Sequence, residues 1–263
     1  MTLGTFDGTV YQTAGEGPPV VLVHGLGLNR HMWTWYVEAL APHYRVVTYD
    51  LLGHGESVKQ AAPYRMSQFV DQIEALCAHL DVDQCAIAGF SLGGIINRAY
   101  ALSHPERVRA LVILNSYHDR TEEQRAAVLQ RVEQARQSGP TATIDAALER
   151  WFTPEFHAAH PEVLDQVRSW VTANDAEVYP HLYHLMAMCD ADLVEPVRAI
   201  RCPTLIIAGE KDPGNTPAMA HAMAALMPDA RVEVMPDLRH MGLCERPETF
   251  LALMEPFFAS AFA

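Results

Sequence analysis

The chain has 263 residues, of which 49% are hydrophobic and 19% are charged, a composition typical of a globular protein with room for one sizeable α/β domain. Its formal net charge of −13 repels phosphate backbones and anionic lipid surfaces, which argues against nucleic-acid and membrane partners. The sequence has no basic, apolar leader and no long apolar stretch, so we expect neither a secretion signal nor a membrane span.

Strands and amphipathic helices alternate along the first half of the chain. Short, largely apolar runs are typical of strands that are buried on both faces of a parallel sheet. Ser67 can cap a helix whose apolar positions follow the 3.6-residue period. The predicted strands lie at residues 19–23, 45–49, 85–88 and 108–114. This alternation predicts a parallel sheet with helices on both faces.

The pattern changes between residues 116 and 200, where charged, helical sequence with repeated prolines contains no convincing strand. Strands then return at residues 203–208 and 231–235. We therefore expect a core built from residues 1–115 and 201–263, with a helical cap, residues 116–200, inserted in it as a lid.

The most informative motif, Gly89-Phe90-Ser91-Leu92-Gly93, lies directly after a predicted strand and directly before a predicted helix. A serine on such a sharp turn has a strained backbone and an exposed hydroxyl, and the flanking glycines avoid collisions with the neighbouring strand and helix. A serine hydroxyl is a weak nucleophile at neutral pH, so it needs a base and an orienting acid. The motif predicts that Ser91 is a catalytic nucleophile.

The predicted sheet selects the base and the acid, because working side chains gather at the carboxyl ends of parallel strands. His240 lies in the loop after the last predicted strand, and Asp212 comes just past the strand before it. Glu210 is a rival for the acid, but it lies nearer the strand end and is expected to point elsewhere. We predict a triad in the chain order Ser91, Asp212, His240.

Two backbone N–H groups are predicted to bind the oxyanion of the transition state. The N–H of Leu92 begins the helix after the nucleophile, where the helix dipole adds to it. The second is the N–H of Leu26, in the glycine-rich loop after the strand at 19–23. In the same loop, His24 is expected to hold the backbone by hydrogen bonding rather than to act as a base, and His54 is expected to shape a second glycine-rich loop.

The remaining histidines and the cysteines match no metal site. The pairs His157/His160 and His181/His184 have the i, i+3 spacing of two ligands on a helix, but no acid or cysteine cluster completes a site. The five cysteines are odd in number and indicate a reducing compartment. We expect no bound metal and a cytoplasmic protein.

With these residues placed, the chain resembles the α/β-hydrolase superfamily over essentially its full length. Four motifs carry the resemblance and are highly specific together: His24-Gly25, Asp50…Gly53-His54-Gly55…Ser57, Gly89…Gly93, and Asp212 with His240. The resemblance implies a mostly parallel, eight-stranded sheet. It also implies a covalent acyl-enzyme mechanism without a cofactor.

Within the superfamily, the chain looks most like the 3-oxoadipate enol-lactonases and their relatives. The similarity lies in residues 89–95, in residues 104–112 and in the cap segment 148–154. The cap half from Val178 to Asp190 is rich in His, Tyr and Met, so it does not look built for a dicarboxylate.

These expectations combine into a serine hydrolase of a small ester or lactone, acting as a monomer or homodimer. Trp33, Phe90 and Trp151 are expected to line the substrate site, and Arg150 is a candidate partner for a substrate carboxylate. Two alternatives stay open: carbon–carbon bond hydrolysis of a diketone by the same triad, and a ligand receptor of the same fold with little turnover.

Overall fold

The structure, a computed structural model, describes residues 1–263. Its eight strands are β1 (Thr2–Phe6), β2 (Thr9–Ala14), β3 (Pro19–Val23), β4 (Arg45–Tyr49), β5 (Cys85–Phe90), β6 (Val108–Leu114), β7 (Thr204–Gly209) and β8 (Ala230–Met235). They form a single sheet in the order β1-β2-β4-β3-β5-β6-β7-β8. The β1–β2 and β2–β4 pairs are antiparallel and all other pairs are parallel. The predicted α/β class is confirmed.

Helices cover the sheet and fill the region between β6 and β7. They are α1 (Thr34–Leu40), α2 (Met66–His79), α3 (Leu92–Ser103), α4 (Glu122–Ser138), α5 (Thr141–Trp151), α6 (Pro154–Ala159), α7 (Pro161–Thr172), α8 (Tyr179–Met188), α9 (Pro217–Leu226), α10 (Gly242–Glu245) and α11 (Pro247–Ala261). Short 3₁₀ helices lie at Arg30–Trp33, Ala191–Leu193 and Pro196–Ala199. None of the helices is long and apolar enough to cross a membrane.

The central strands lie where the apolar runs predict them, because strands buried on both faces must be apolar at every position. β3, β4 and β6 have the predicted bounds, whereas β5 continues two residues further, to Phe90. The expectation that Ser67 caps the second helix is wrong, because α2 begins at Met66 with Arg65 at its N-cap, and Ser67 lies within its first turn. The backbone therefore reaches the serine motif directly from the centre of the sheet.

The hairpin of β1 and β2 is absent from the sequence-based prediction. Asp7 and Gly8 form its two-residue turn with φ angles of 47° and 74°, and an Asp-Gly pair with two positive φ angles is a strong hairpin signal. The strands on either side are largely exposed or half-buried. They lack the continuous apolar run by which the inner strands are recognised. The Asp7-Gly8 turn between them is the feature of the sequence that indicates the hairpin.

Residues 116–200, called the cap below, contain helices only and are held to the rest of the chain by hydrogen bonds. The Trp151 carbonyl accepts from the Met241 N–H at 2.8 Å. The Asn174 side chain donates to the Gly27 carbonyl at 2.8 Å, and Thr153 Oγ1 donates to Glu245 at 2.6 Å. Two of these contacts join the cap to the loop and helix that follow β8, next to His240.

Candidate active site

Ser91 occupies a strained turn between the central strand β5 and helix α3. Its φ and ψ are 53° and −112°, a region that residues with a side chain rarely adopt. Two hydrogen bonds hold this turn: the Ser91 N–H donates to the Leu114 carbonyl at 2.9 Å, and Ser116 Oγ donates to the Ser91 carbonyl at 2.8 Å. The neighbouring strand β6 therefore fixes the position of the serine.

The glycines of the motif are required by close backbone contacts. A Cβ atom on Gly89 would lie 2.4 Å from the Gly93 carbonyl carbon, and one on Gly93 would lie 2.3 Å from the Val23 carbonyl oxygen. Both distances are far shorter than van der Waals contact. Strand β3 and helix α3 can approach the turn this closely only because both positions are glycine.

His240 and Asp212 form a buried pair beside the serine. The Nδ1 atom of His240 lies 2.7 Å from Asp212 Oδ2, and the two side chains are 7% and 2% exposed. A carboxylate can only accept, so His240 donates from Nδ1, and Nε2 is the nitrogen left to face other groups. All three residues of the predicted triad, including Ser91, line the same cavity.

The Asp212 carboxylate is surrounded by hydrogen-bond donors. The N–H groups of Gly214 and Asn215 donate to Oδ1 at 2.9 and 3.0 Å. The side-chain amides of Asn115 and Asn215 each donate to Oδ2 at 3.1 Å. Burial by itself would raise the pKa of Asp212, but the charge of His240 and these hydrogen bonds lower it below its ordinary value. The carboxylate is therefore held in its ionised form.

Asn115 and Asn215 were not singled out by the sequence, although both contact the acid. Asn115 is the first residue after β6 and has a φ of 43°. The side-chain nitrogen of Asn215 lies 2.9 Å from His240 Nδ1 as well as close to Asp212. The only sequence feature that could have indicated their role is their position after parallel strands, where functional side chains gather. The rival acid, Glu210, is exposed and accepts a hydrogen bond from the Asp237 N–H at 2.9 Å.

The backbone N–H groups of Leu26 and Leu92 have no acceptor within the protein. Leu92 is the first residue of α3, and the N–H groups of a first helical turn have no partner inside the helix. Leu26 lines the same cavity as Ser91. Two free backbone donors thus flank the serine, and such donors are suited to binding a negatively charged oxygen.

His24 and His54 are buried structural residues. His24 donates from Nδ1 to the Gly25 carbonyl at 2.8 Å, and its Nε2 accepts from the Leu51 N–H at 2.9 Å. Burial lowers the pKa of His24 to about 4 and that of His54 to about 3. Both nitrogens of His24 are occupied, so this residue joins two loops and has no free nitrogen to act as a base.

A cavity of about 1080 Å³, measured with its open mouth, lies between the sheet and the cap. Phe90, Trp151 and Arg150 line it as expected, and the rings of Phe90 and Trp151 lie 4.7 and 5.9 Å from the His240 ring. The expectation for Trp33 is wrong. Trp33 is completely buried, packs edge-on against Tyr36 and does not line the cavity.

Several cap residues line the cavity although no sequence pattern singles them out. They are polar or charged and come from the start of the cap and from α4: Tyr117, Arg120, Gln124 and Arg131. On a helix rich in charged residues, nothing in the local pattern separates a residue that faces a cavity from one that faces solvent.

Comparison with known proteins agrees with this geometry. A family model described as the alpha/beta hydrolase fold matches residues 18–247. The chain is 32% identical to (E)-2-((N-methylformamido)methylene)succinate hydrolase of Acinetobacter baylyi, covering 90% of this chain and 89% of that protein. It is 30% identical to 3-oxoadipate enol-lactonase 2 of the same organism, with coverage of 91% and 89%.

Solved structures show the same likeness. The enol-lactonase from Burkholderia xenovorans LB400 superposes with a TM-score of 0.90 at 29% identity, covering 98% of this chain and all of that one. A thermophilic esterase from Thermogutta terrifontis superposes with a TM-score of 0.89 at 27% identity, with coverage of 97% and 94%. The chain belongs to the α/β-hydrolase family, and it is an enzyme of the hydrolase class.

Proposed function

We propose that this enzyme is a serine hydrolase that cleaves small carboxylic esters or lactones through an acyl-enzyme on Ser91. The observation that carries the proposal is the short bond between His240 Nδ1 and Asp212 Oδ2, in the cavity that Ser91 enters from its strained turn. The relatives with esterase and enol-lactonase names support this substrate class.

In the first half of the reaction, Ser91 Oγ attacks the carbonyl carbon while His240 Nε2 takes the hydroxyl proton. The ionised carboxylate of Asp212 holds the imidazole and stabilises its positive charge. The N–H groups of Leu26 and Leu92 bind the oxyanion, and one such donor contributes about 3–4 kcal/mol to transition-state stabilisation. Collapse of the tetrahedral intermediate expels the alkoxide, which takes the proton back from His240.

In the second half, a water molecule gives a proton to His240 and attacks the acyl carbon on Ser91. The second intermediate collapses, Ser91 regains its proton, and the carboxylic acid leaves. The cap, residues 116–200, acts in this proposal as a lid that limits access of water and selects the substrate. Phe90 and Trp151 supply apolar contact area to a short acyl chain or ring.

The proposal is tested by trapping the acyl-enzyme. With p-nitrophenyl acetate, we expect a burst of p-nitrophenolate equal to the enzyme concentration and an acetyl group on the peptide that contains Ser91. Ser91→Ala is expected to show neither. A panel of an aryl ester, an enol-lactone and a ring-cleavage diketone then separates ester or lactone hydrolysis from carbon–carbon cleavage. Turnover in Ser91→Ala equal to wild type would refute the proposal.

A further inference from the structure

The segment of the cap where helix α5 ends, residues 149–153, is bound by the loop that carries His240. Arg239 is half-buried and directly precedes His240. Its Nη1 atom donates to the Glu149 carbonyl at 2.6 Å and to the Phe152 carbonyl at 3.0 Å. The last carbonyl groups of a helix have no partner inside it, and a basic side chain at that end also interacts favourably with the helix dipole. Arg239 therefore completes the C-terminal end of α5.

The residues after His240 contact the same segment of the cap. The Met241 N–H donates to the Trp151 carbonyl at 2.8 Å. The Glu245 carboxylate accepts hydrogen bonds from the N–H and from the hydroxyl of Thr153, at 2.8 and 2.6 Å. The chain is therefore bound to the cap on both sides of His240.

This contact replaces one hydrogen bond of the helix pattern. If α5 continued, the Thr153 N–H would donate to the Glu149 carbonyl, four residues earlier. Instead, the N–H donates to Glu245 and the carbonyl accepts from Arg239. Separating the loop from the cap would leave both groups without these partners, and an unpaired polar group in a partly buried place is unfavourable. The end of α5 and the His240 loop thus hold each other in place.

Asp212 fixes only one side of the His240 ring, because it binds Nδ1 alone. A ring held at one nitrogen can still turn about that bond, which moves its Nε2 atom relative to Ser91. A misplacement of about 1 Å in a reacting group can lower a rate by about 100-fold. Fixing the backbone before and after His240 removes this freedom.

We propose that Arg239 is a positioning residue for His240. By binding the end of α5, it holds the backbone of the base so that Nε2 faces Ser91. The cap then aligns the base as well as covering the cavity. Arg239 does not line the cavity, so it affects the reaction through His240. The inference rests on the proposed function for the role of His240 as the base.

The first test measures how fast diisopropyl fluorophosphate inactivates the enzyme, because this small reagent requires an activated serine. Arg239→Met keeps an aliphatic stem and removes the donors, and it should lower the second-order rate constant about 10- to 100-fold. Arg239→Lys should restore most of the rate, because one ammonium group can donate to both carbonyls that Nη1 binds. Arg136→Met, the same change at an exposed arginine of α4, should react like wild type.

Steady-state kinetics with p-nitrophenyl acetate separate positioning of the base from anchoring of the cap. Both halves of the reaction use His240, so misplacing it should lower kcat in Arg239→Met and leave KM close to that of wild type. A residue that only anchors the cap would give a raised KM and inactivation by the fluorophosphate at the wild-type rate or faster. That result would overturn the proposal.

A second variant breaks the same contact from the other side and keeps the test decisive if Arg239→Met does not fold. Glu245→Ala removes both acceptors of Thr153. It should slow inactivation about 10-fold, while a urea unfolding curve shows that it is folded. Inactivation of folded Glu245→Ala at the wild-type rate would contradict the proposal.

A spectroscopic test does not depend on turnover. The proton that His240 Nδ1 donates to Asp212 should give a low-field proton NMR resonance in wild type, and its loss in His240→Ala identifies it. Arg239→Met should shift or broaden this resonance, and Arg136→Met should not. An unchanged resonance in Arg239→Met would overturn the proposal. If Ser91 fails to react in wild type while the resonance responds to Arg239→Met, only the proposed function is overturned.

Discussion

Replacing Asp212 with asparagine removes one charge and changes almost no volume. The carboxylate receives five N–H groups: two from the backbone at Oδ1, and two amides and His240 Nδ1 at Oδ2. An asparagine has one acceptor oxygen and one NH₂ group. If its oxygen keeps the two backbone donors, its NH₂ faces His240 and forces the proton from Nδ1 to Nε2.

An imidazole protonated at Nε2 cannot take the proton of Ser91. The corresponding loss in serine hydrolases of this type is about 10⁴-fold in kcat, which is about 5.4 kcal/mol of transition-state stabilisation at 1.36 kcal/mol per tenfold. We expect kcat of Asp212→Asn to be about 10³- to 10⁴-fold lower than that of wild type. The variant should still fold, because asparagine has the same shape as aspartate.

The assay is kcat/KM with p-nitrophenyl acetate, together with a urea unfolding curve for each variant. Glu210→Gln is the matched control, because Glu210 lies close in sequence but is exposed, and its carboxylate accepts a hydrogen bond from the Asp237 N–H. It should retain wild-type activity. Asp212 does not orient the base if Asp212→Asn keeps more than a tenth of the activity, or if Glu210→Gln loses as much.

Three further changes test the supports of the site. Gly93→Ala places a Cβ 2.3 Å from the Val23 carbonyl oxygen, and urea unfolding should show a loss of about 3 kcal/mol or more, so an unchanged midpoint would contradict the contact. Asn115→Ala removes a donor to Asp212; it should weaken the hold on the ionised carboxylate and reduce kcat/KM about tenfold, whereas an unchanged kcat/KM would exclude this role. The pKa of His24 is about 4 in the folded protein against 6.5 ordinarily, so its neutral form stabilises the fold fully above pH 6.5. That contribution, up to about 3 kcal/mol, is lost as the pH falls from 6.5 to 4. The free energy of unfolding, measured across this range, should therefore fall less steeply with decreasing pH in His24→Ala than in wild type. An equal fall in both proteins would disprove the linkage.

The sequence predicted well what local chemistry determines. The apolar runs gave the bounds of β3, β4 and β6 because strands buried on both faces have little freedom of composition. The Ser91 turn was recognisable because glycine is required on both sides of it. Asp212 and His240 followed from strand order, since the carboxyl ends of parallel strands meet at one edge.

The contents of the cavity were not predictable in the same way. Trp33 was expected there because it is large and apolar, but those properties equally suit the core, where it lies. Arg131 and Arg136 belong to the same helix, and only tertiary packing turns one toward the cavity and the other toward solvent.

Covalent labelling shows whether Ser91 is the activated nucleophile that we propose for this hydrolase. A fluorophosphonate probe should modify the native protein once, on the peptide that contains Ser91, and should fail to modify Ser91→Ala or heat-denatured protein. His240→Ala, which removes the base, should slow labelling by at least 100-fold, in line with general-base catalysis of about 10²- to 10⁴-fold. Labelling of Ser91→Ala at the wild-type rate, or of a different residue in the native enzyme, would show that Ser91 is not the nucleophile.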